Sequence, residues 1–278
     1  MTPDQQLAIF RSALCKRSFY DFIRLVRPGY EFNWHHLELI EAMQRLADRR
    51  MSRLIVQMPP RHGKSEIVSR LFPAWLLARN PNEQIIACSY AADLAEKMSR
   101  DCQRIMTSPR YTNIFPEIGI GESQQVGVVR TNKRFDIPNH KGYYVSAGVS
   151  GAITGEGCTV GIIDDPVKNA EEADSPTYRE RAWNWYRSTF KTRFEPGAVE
   201  VICQTRWHED DLAGRIIKDS AERGGEGTEI ISFPALCMEA EYSRDIGEAL
   251  WEGKYDRPSL LKIQQDVGSR SWNALYQQ

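Results

Sequence analysis

A short polar segment between two apolar stretches has the residue types that bind the phosphates of a nucleotide. Arg53 to Gln57 is apolar with a β-branched centre, Met58 to His62 contains two prolines, and Gly63-Lys64-Ser65 comes before a helical pattern that begins at Glu66. In a strand–loop–helix of this kind, backbone N–H groups at the helix N-terminus bind phosphate. The lysine contacts the β- and γ-phosphates, and the serine hydroxyl binds Mg²⁺. We therefore predict a site for ATP and Mg²⁺, with Lys64 on phosphate and Ser65 on the metal.

The loop departs from the usual phosphate-loop pattern at its start. Met58 stands where the pattern has a glycine, and the next two residues, Pro59 and Pro60, have no N–H to donate. We expect the later part of the loop to bind most of the phosphate, with Arg61 and His62 adding positive charge or donors. An ordinary strand-to-helix turn is the alternative, since Gly-Lys-Ser is a common tripeptide. The predicted nucleotide-binding residues of the loop are Pro60, Arg61, His62, Gly63, Lys64, Ser65 and Glu66.

Two adjacent carboxylates follow another apolar stretch. Asp164 and Asp165 come directly after Cys158 to Ile163. We predict that Asp164 is the second Mg²⁺ ligand and that Asp165 orients the attacking water. A simple Asp-Asp-Pro turn at the end of a strand is the alternative. Because aspartate is shorter than the glutamate often found at this position, Glu171 and Glu172 remain other candidates, although a solvated helix start explains them better.

Polar residues also follow a third apolar stretch. Gln204-Thr205-Arg206 comes after Val199 to Cys203 and is placed to sense the γ-phosphate, or is simply a polar strand end. The acidic run His208 to Asp211 resembles a metal cluster, but acidic residues in a first helical turn more often interact with the helix dipole.

The elements that position these residues alternate between strand and helix from residue 53 to residue 233. This pattern predicts an α/β fold with a mainly parallel sheet, in which the three polar segments meet at the carboxyl ends of the strands. We expect Asn33 to cap a helix, Pro73 to kink or break another, and Glu195 to Gly197 to close a helix that starts at Ser175. A further helix is predicted to start at Glu209. The predicted organisation is a helical segment at 1–50, the core at 51–235, and a linker or lid at 236–278.

The overall charge limits how the protein contacts nucleic acid. The 278 residues have a net charge of −1, so DNA contacts must be local or come from several assembled copies. The best local basic stretch consists of Arg130, Lys133, Arg134 and Lys141, and a solvated loop explains it better than a DNA contact.

Cysteine usage and hydropathy indicate the cellular compartment in which the protein works. None of the six cysteines has zinc-site spacing, and several lie in apolar stretches, which indicates buried thiols in a reducing compartment. The sequence has no signal peptide and no apolar run of about 18 residues, so we expect a cytosolic protein that does not span a membrane.

Three motifs in this order resemble one protein family. Met58 to Glu66, Ile162 to Pro166 and Thr205 to Leu212 together resemble the ATPase part of the large terminase subunit of tailed bacteriophages, and Ala87 to Ala91 and Gly151 to Gly155 also fit. The resemblance implies an ASCE-type P-loop NTPase that packages viral double-stranded DNA into a preformed capsid. In that family an RNase H-like nuclease domain follows, and we expect this chain to be the ATPase part without it.

The resemblance also implies roles for individual residues. Lys64 and Ser65 correspond to Walker A, and Asp164 corresponds to Walker B. The region that begins at Trp34 resembles the segment beside the adenine. The residues implied to act in catalysis are Lys64, Asp165 as the catalytic carboxylate, Arg61 as a group that stabilises transition-state charge, and Thr205 in the motif that couples hydrolysis to motion.

The expected partners follow from the same resemblance. They are double-stranded viral DNA, the portal protein, the small terminase subunit and further copies of the chain in a ring on the procapsid, in the cytoplasm of the infected bacterial host. Whether the isolated domain is a monomer stays open. Two other functions stay open as well: a helicase-like DNA-remodelling ATPase, and an assembly module that binds nucleotide and hydrolyses it slowly.

Overall fold

A seven-stranded sheet forms the centre of the fold in the computed structural model, which describes residues 2–121, 127–153, 155–225, 227–241 and 243–278. The strand order is β3-β4-β2-β5-β6-β1-β7. Neighbouring strands are parallel except that β3 runs antiparallel to β4. This confirms the predicted α/β class with a mainly parallel sheet. The strands are β1 Arg53–Gln57, β2 Gln84–Ser89, β3 Arg134–Asp136, β4 Tyr143–Gly148, β5 Cys158–Asp164, β6 Phe194–Gln204 and β7 Thr228–Ser232.

Helices cover both faces of the sheet. The two cores follow the alternation of side chains along each strand: Leu54 and Val56 of β1 belong to one core, whereas Ile55 belongs to the other. The α-helices are α1 Pro3–Arg17, α2 Phe19–Val26, α3 Trp34–Ala47, α4 Lys64–Glu66, α5 Phe72–Arg79, α6 Ala92–Met106, α7 Pro109–Ile114, α8 Ala170–Asp174, α9 Pro176–Trp185, α10 Leu212–Glu222 and α11 Arg257–Leu275.

Of the kink or break predicted at Pro73, the break does not occur. The chain stays helical from α4 into α5 because a π-helical turn, Ile67–Leu71, joins them. The N–H of Phe72 donates to the carbonyl of Ile67, five residues back. A wider turn just before a proline allows the chain to continue where Pro73, which has no N–H, cannot donate an α-helical hydrogen bond.

The prediction that Glu195 to Gly197 closes a helix is wrong, because these residues lie within β6. Phe194 pairs with Cys158, but the next registered pair is Val199 with Val160, so β6 has extra residues at an irregularity. The exposed proline and glycine are accommodated in this bulge, where ladder hydrogen bonds are not required.

The start of α10 also differs from the prediction. The helix begins at Leu212 rather than Glu209, because Asp211 is its N-cap and accepts a hydrogen bond from the N–H of Gly214 at 2.9 Å. By contrast, α3 does begin directly after Asn33, as predicted.

The segment before β1 is helical, as predicted. The segment before β1 contains α1 to α3, and the segment after β7 ends in α11, with Leu260 and Trp272 in a small core of their own. The division into three regions stays a prediction. The sequence also predicts short strands and loops over 115–150 and a glycine-rich loop over 148–157, but residues 122–126 and 154 of these segments lie outside the described residues. Within the parts of the chain that the structure describes, no helix combines the length and apolar composition needed to cross a membrane.

Candidate nucleotide-binding site

The loop between β1 and α4 depends on a glycine. Gly63 has a φ of 97° and lies directly before α4. A Cβ atom added there would lie 2.5 Å from Nε2 of His36. Arg61 also has a positive φ of 60°, so two residues of the loop have the left-handed backbone conformation before the helix begins.

Two histidines of α3 hold the loop from behind. Nε2 of His35 and Nε2 of His36 lie 3.1 Å and 2.9 Å from the carbonyl oxygen of His62. Since a carbonyl only accepts, both rings carry their proton on Nε2. Nδ1 of His36 accepts from the N–H of Asn33 at 3.0 Å, which gives this ring the neutral tautomer. Burial lowers the pKa of His35 to about 3 and that of His36 to about 4. The sequence contained these histidines, but nothing in their spacing indicated contact with the loop.

Lys64 is paired with Asp165, the first residue after β5. Nζ of Lys64 donates to Oδ2 of Asp165 at 2.7 Å, and Oδ1 of Asp165 accepts from the N–H of Thr205 at 3.1 Å. Burial lowers the pKa of Lys64, but the charges of Asp165 and Asp164 outweigh it, so that pKa lies above its usual value. Asp165 has a φ of 45°, an uncommon conformation for a residue other than glycine that aims its carboxylate at the lysine.

Asp164 is fully buried between two serine hydroxyls. Oγ of Ser65 donates to its Oδ1 at 3.2 Å, and Oγ of Ser69 donates to its Oδ2 at 2.6 Å. Burial, together with the charge of Asp165, raises the pKa of Asp164 to about 6. Ser69 lies in the π-helical turn, where a serine within an apolar stretch gave no sequence signal of function.

The hydroxyl of Ser65 and the carboxylate of Asp164 are a donor set that fits Mg²⁺. Both groups supply oxygen, the ligand type that Mg²⁺ prefers, and few protein ligands suffice because the ion usually keeps waters and binds nucleotide phosphates. These two residues would hold the metal, and it would supply positive charge beside the β- and γ-phosphates.

The last residue of β6 and the two residues after it complete this edge of the sheet. Since β6 lies between β1 and β5, Gln204-Thr205-Arg206 falls between the phosphate loop and the two aspartates. Nε2 of Gln204 and Nε of Arg206 both donate to Oδ2 of Asp211 at 2.8 Å. The side-chain oxygen of Gln204 is buried and has no hydrogen-bond partner among the described residues. The three polar segments therefore meet where the strand pattern placed them.

A cavity of about 310 Å³ opens over the phosphate loop. The segment that precedes α11 supplies two of its residues, Lys254 and Tyr255, and the ring of Tyr255 stacks on His62 with 5.0 Å between centroids. Sequence reasoning missed both, because no motif marks them. The cavity is lined by Arg61, Gly63, Lys64, Ser65, Glu66, Arg70, Lys254 and Tyr255.

Trp34 and Glu66 have other contacts. Trp34 packs edge-on against Phe233 at 5.7 Å and under the guanidinium of Arg244 at 5.3 Å, and it lines a different cavity from the one over the phosphate loop. The carboxylate of Glu66 lies 3.6 Å from nitrogens of both Arg27 and Arg70. Trp34 thus lies away from this cavity, whereas Asp164 and Asp165, which do not line it either, contact its residues Ser65 and Lys64.

The acidic residues before α10 are used within the fold. Asp210 pairs with Arg179 at 3.1 Å and with Arg215 at 2.8 Å, and Asp211 caps the helix. Among the described residues no group of three or more His, Cys, Asp or Glu side chains is placed to hold a metal ion. Glu172 also lies at a helix start, where its N–H donates to Asn169.

The basic stretch predicted as a solvated loop is partly tied to the fold. Arg134 pairs with Asp136 and Glu156 and stacks on Tyr143. Arg130 donates to the carbonyl of Gly121 at 3.2 Å. These two guanidinium groups are therefore committed to contacts within the chain. All six cysteines are buried free thiols, as the sequence indicated.

Comparison with solved structures supports the fold. The Thermus phage P74-26 large terminase ATPase domain superposes with a TM-score of 0.54 at 14% identity, over 92% of this chain and 95% of that one. The HK97 bacteriophage large terminase gives 0.53 at 13% identity, over 88% of this chain and 46% of that one. A large terminase from a thermophilic bacteriophage gives 0.54 at 12% identity, over 89% and 53%. The chain thus spans about half the length of the latter two proteins.

Comparison with protein families extends this result to the sequence. A search of curated proteins found no match. A family model described as "Terminase large subunit, T4likevirus-type, N-terminal" matches residues 55–267, which is well over half of the chain and includes the phosphate loop, both aspartates and Thr205. The chain therefore belongs to the family of T4-like terminase large subunits, in the N-terminal part that this family model describes.

Proposed function

We propose that this chain binds Mg²⁺ and ATP at the phosphate loop and hydrolyses ATP to move viral double-stranded DNA into a procapsid. The single observation that carries the proposal is the junction of Lys64, Asp165 and Thr205, in which one carboxylate joins the lysine to the N–H after β6. Ser65 and Asp164 complete the junction with oxygen ligands for the metal.

The ion pair between Lys64 and Asp165 gives a route to activation. Bound β- and γ-phosphates compete for the ammonium of Lys64, which frees Oδ2 of Asp165 to orient the attacking water and accept its proton. Oδ1 stays on the N–H of Thr205 and keeps the carboxylate in place. Arg61 is exposed at the cavity and supplies charge to the transition state. Pro60, His62 and Gly63 shape the loop around the phosphates.

The same contacts offer a path from hydrolysis to motion. A shift of Asp165 would move Thr205, because the N–H of Thr205 donates a hydrogen bond to it. The next residue, Arg206, donates to Asp211 at the start of α10. A change at the phosphate therefore reaches a whole helix through two hydrogen-bonded groups. This is the physical basis that we propose for coupling in Thr205.

The partners follow from family membership. We propose that the chain acts with double-stranded DNA, the portal protein, the small terminase subunit and further copies of itself in a ring, in the cytoplasm of the infected bacterial host. A second function, a module that binds ATP but hydrolyses it slowly, is favoured by one observation. Both oxygens of Asp165 are already occupied, by Lys64 and Thr205, which restrains the group that must accept a proton.

The rate of ATP hydrolysis, measured against protein concentration with and without double-stranded DNA, tests the proposal. We expect the wild type to hydrolyse ATP, Lys64→Ala to lose this activity, and Lys218→Ala, which removes an exposed lysine of α10, to keep it. For a motor, the rate per chain rises with concentration and with DNA. A fast rate that depends on neither contradicts DNA movement by a ring, and equal rates for wild type and Lys64→Ala contradict the site.

A further inference from the structure

The cavity beside the phosphate loop has an excess of positive charge. Of its lining residues, Glu66 is the only one with a carboxylate, whereas four have cationic side chains. A concave surface with this balance attracts an anion. The four cationic residues are Arg61, Lys64, Arg70 and Lys254.

Some of this charge is compensated within the protein. Lys64 is paired with Asp165 at 2.7 Å, and Arg70 is paired with Asp101 at 2.9 Å. Lys254 belongs to no ion pair in the part of the chain that the structure describes. Its contact is a hydrogen bond from Nζ to the carbonyl oxygen of Arg61 at 2.9 Å. A neutral carbonyl uses one of the three ammonium N–H groups and leaves the charge uncompensated.

Aromatic rings hold the ammonium of Lys254 at the cavity. Nζ lies 4.5 Å from the ring centroid of Trp251 and 5.7 Å from that of Tyr255. Tyr255 in turn stacks on His62 of the phosphate loop. The position of this ammonium is therefore built by the loop and the segment before α11 together, although Lys254 and Arg61 are 193 residues apart.

We propose that Lys254 is a phosphate-binding residue of the nucleotide site, whose ammonium donates directly to a phosphate oxygen of bound ATP beside Lys64. This inference rests on the proposed nucleotide-binding function. It also accounts for an unusual feature of the loop: Pro59 and Pro60 offer no N–H groups to phosphate. A cation from a distant segment replaces part of that missing contact.

Isothermal titration calorimetry of the complete chain tests the contact. The probes are the non-hydrolysable analogue AMPPNP and AMP, both with Mg²⁺, and the variants are Lys254→Met, Lys254→Arg and the control Lys262→Met, which changes an exposed lysine of α11. We expect Lys254→Met to raise the Kd for AMPPNP by about tenfold, the effect of one charge-assisted hydrogen bond. The Kd for AMP should change much less, and Lys254→Arg should stay close to wild type.

Each other outcome has a defined meaning. An unchanged Kd for AMPPNP in Lys254→Met overturns the inference. An equal weakening for AMPPNP and AMP also overturns it, because that result means that Lys254 only positions the loop through Arg61. Failure of the wild type to bind AMPPNP, or full binding by Lys64→Ala, overturns the proposed function itself. Because the Lys254 side chain is exposed, its substitution should leave the fold intact, and thermal melts compared with those of Lys262→Met check this. Lys254→Gln repeats the test with a polar side chain.

Discussion

Ser69→Ala is the substitution that most sharply separates the candidate site from ordinary core packing. Ser69 and Asp164 are both fully buried, and the hydroxyl donates to Oδ2 of the carboxylate at 2.6 Å. Removal of the hydroxyl leaves one oxygen of a buried carboxylate without its donor. A matched control exists in Ser99→Ala. Ser99 is also fully buried, but among the described residues its Oγ has a single hydrogen bond, which it accepts from Nε2 of Gln103 at a long 3.4 Å.

The size of the effect depends on the charge of Asp164. A hydrogen bond to an ionised group contributes about 1.5–3 kcal/mol, whereas one between neutral groups contributes about 1 kcal/mol. Because the pKa of Asp164 is raised to about 6, the carboxylate is ionised at pH 8 and mostly protonated at pH 5. Loss of a donor to the charged form raises this pKa further. We therefore expect Ser69→Ala to lower the free energy of unfolding by about 2 kcal/mol at pH 8 and by about 1 kcal/mol at pH 5.

Urea denaturation in metal-free buffer at the two pH values measures this difference. The same variant should also raise the Mg²⁺ concentration that gives half-maximal ATP hydrolysis by about 10–100-fold, the usual result of removing a group that orients a metal ligand. Ser99→Ala should show neither the larger loss of unfolding free energy at pH 8 nor the change in Mg²⁺ requirement. Equal destabilisation of the two variants at both pH values, with unaltered Mg²⁺ dependence, would refute the reasoning.

Two further predictions concern the loop and its support. Gly63→Ala should lower the free energy of unfolding and abolish nucleotide binding, because its Cβ meets His36 at 2.5 Å; Gly197→Ala, with a φ of 78° and open space, should cost only about 1 kcal/mol. Equal losses, read from urea midpoints, would contradict the clash. The pKa values of His35, His36 and His62 are lowered to about 3, 4 and 4, chiefly by burial, while the unfolded chain protonates near 6.5. The unfolded state therefore binds more protons below about pH 6.5, and the free energy of unfolding should fall by about 1.4 kcal/mol per histidine for each pH unit down to about pH 4. Urea midpoints at pH 7 and pH 5 check this, and His36→Gln should reduce the difference; an unreduced difference would count against it.

Local sequence signals predicted the parts of the site that lie at strand ends. An apolar stretch followed by Gly-Lys-Ser or by Asp164-Asp165 indicates both a strand and the edge where its polar end emerges, and the parallel sheet then brings such edges together. The contact between Asp165 and the N–H of Thr205 follows from this arrangement once β6 lies between β1 and β5. Strand order itself depends on long-range packing and was not predicted.

Contacts from distant or irregular segments could not be predicted in this way. Ser69 reaches Asp164 from a π-helical turn, and helical periodicity alone does not show such a turn. Lys254 comes from an irregular segment with no motif. The sequence predicts that Pro196 helps to close a helix, because proline cannot continue one, but a bulge in β6 accommodates this residue. In each case tertiary structure overrides the local preference.

A single-turnover comparison of wild type with Asp165→Asn tests the central claim most directly. The assay measures the rate of phosphate release with protein in excess over ATP and with Mg²⁺ present. Asparagine preserves the shape of the side chain and the contact with Thr205, and it releases Lys64 for phosphate, so ATP binding should persist. Because a carboxylate that accepts a proton contributes about 10²–10⁴-fold, we predict that Asp165→Asn releases phosphate at least about 100-fold more slowly. Equal rates in the two proteins would contradict the assignment of Asp165 and, with it, the proposed hydrolysis site.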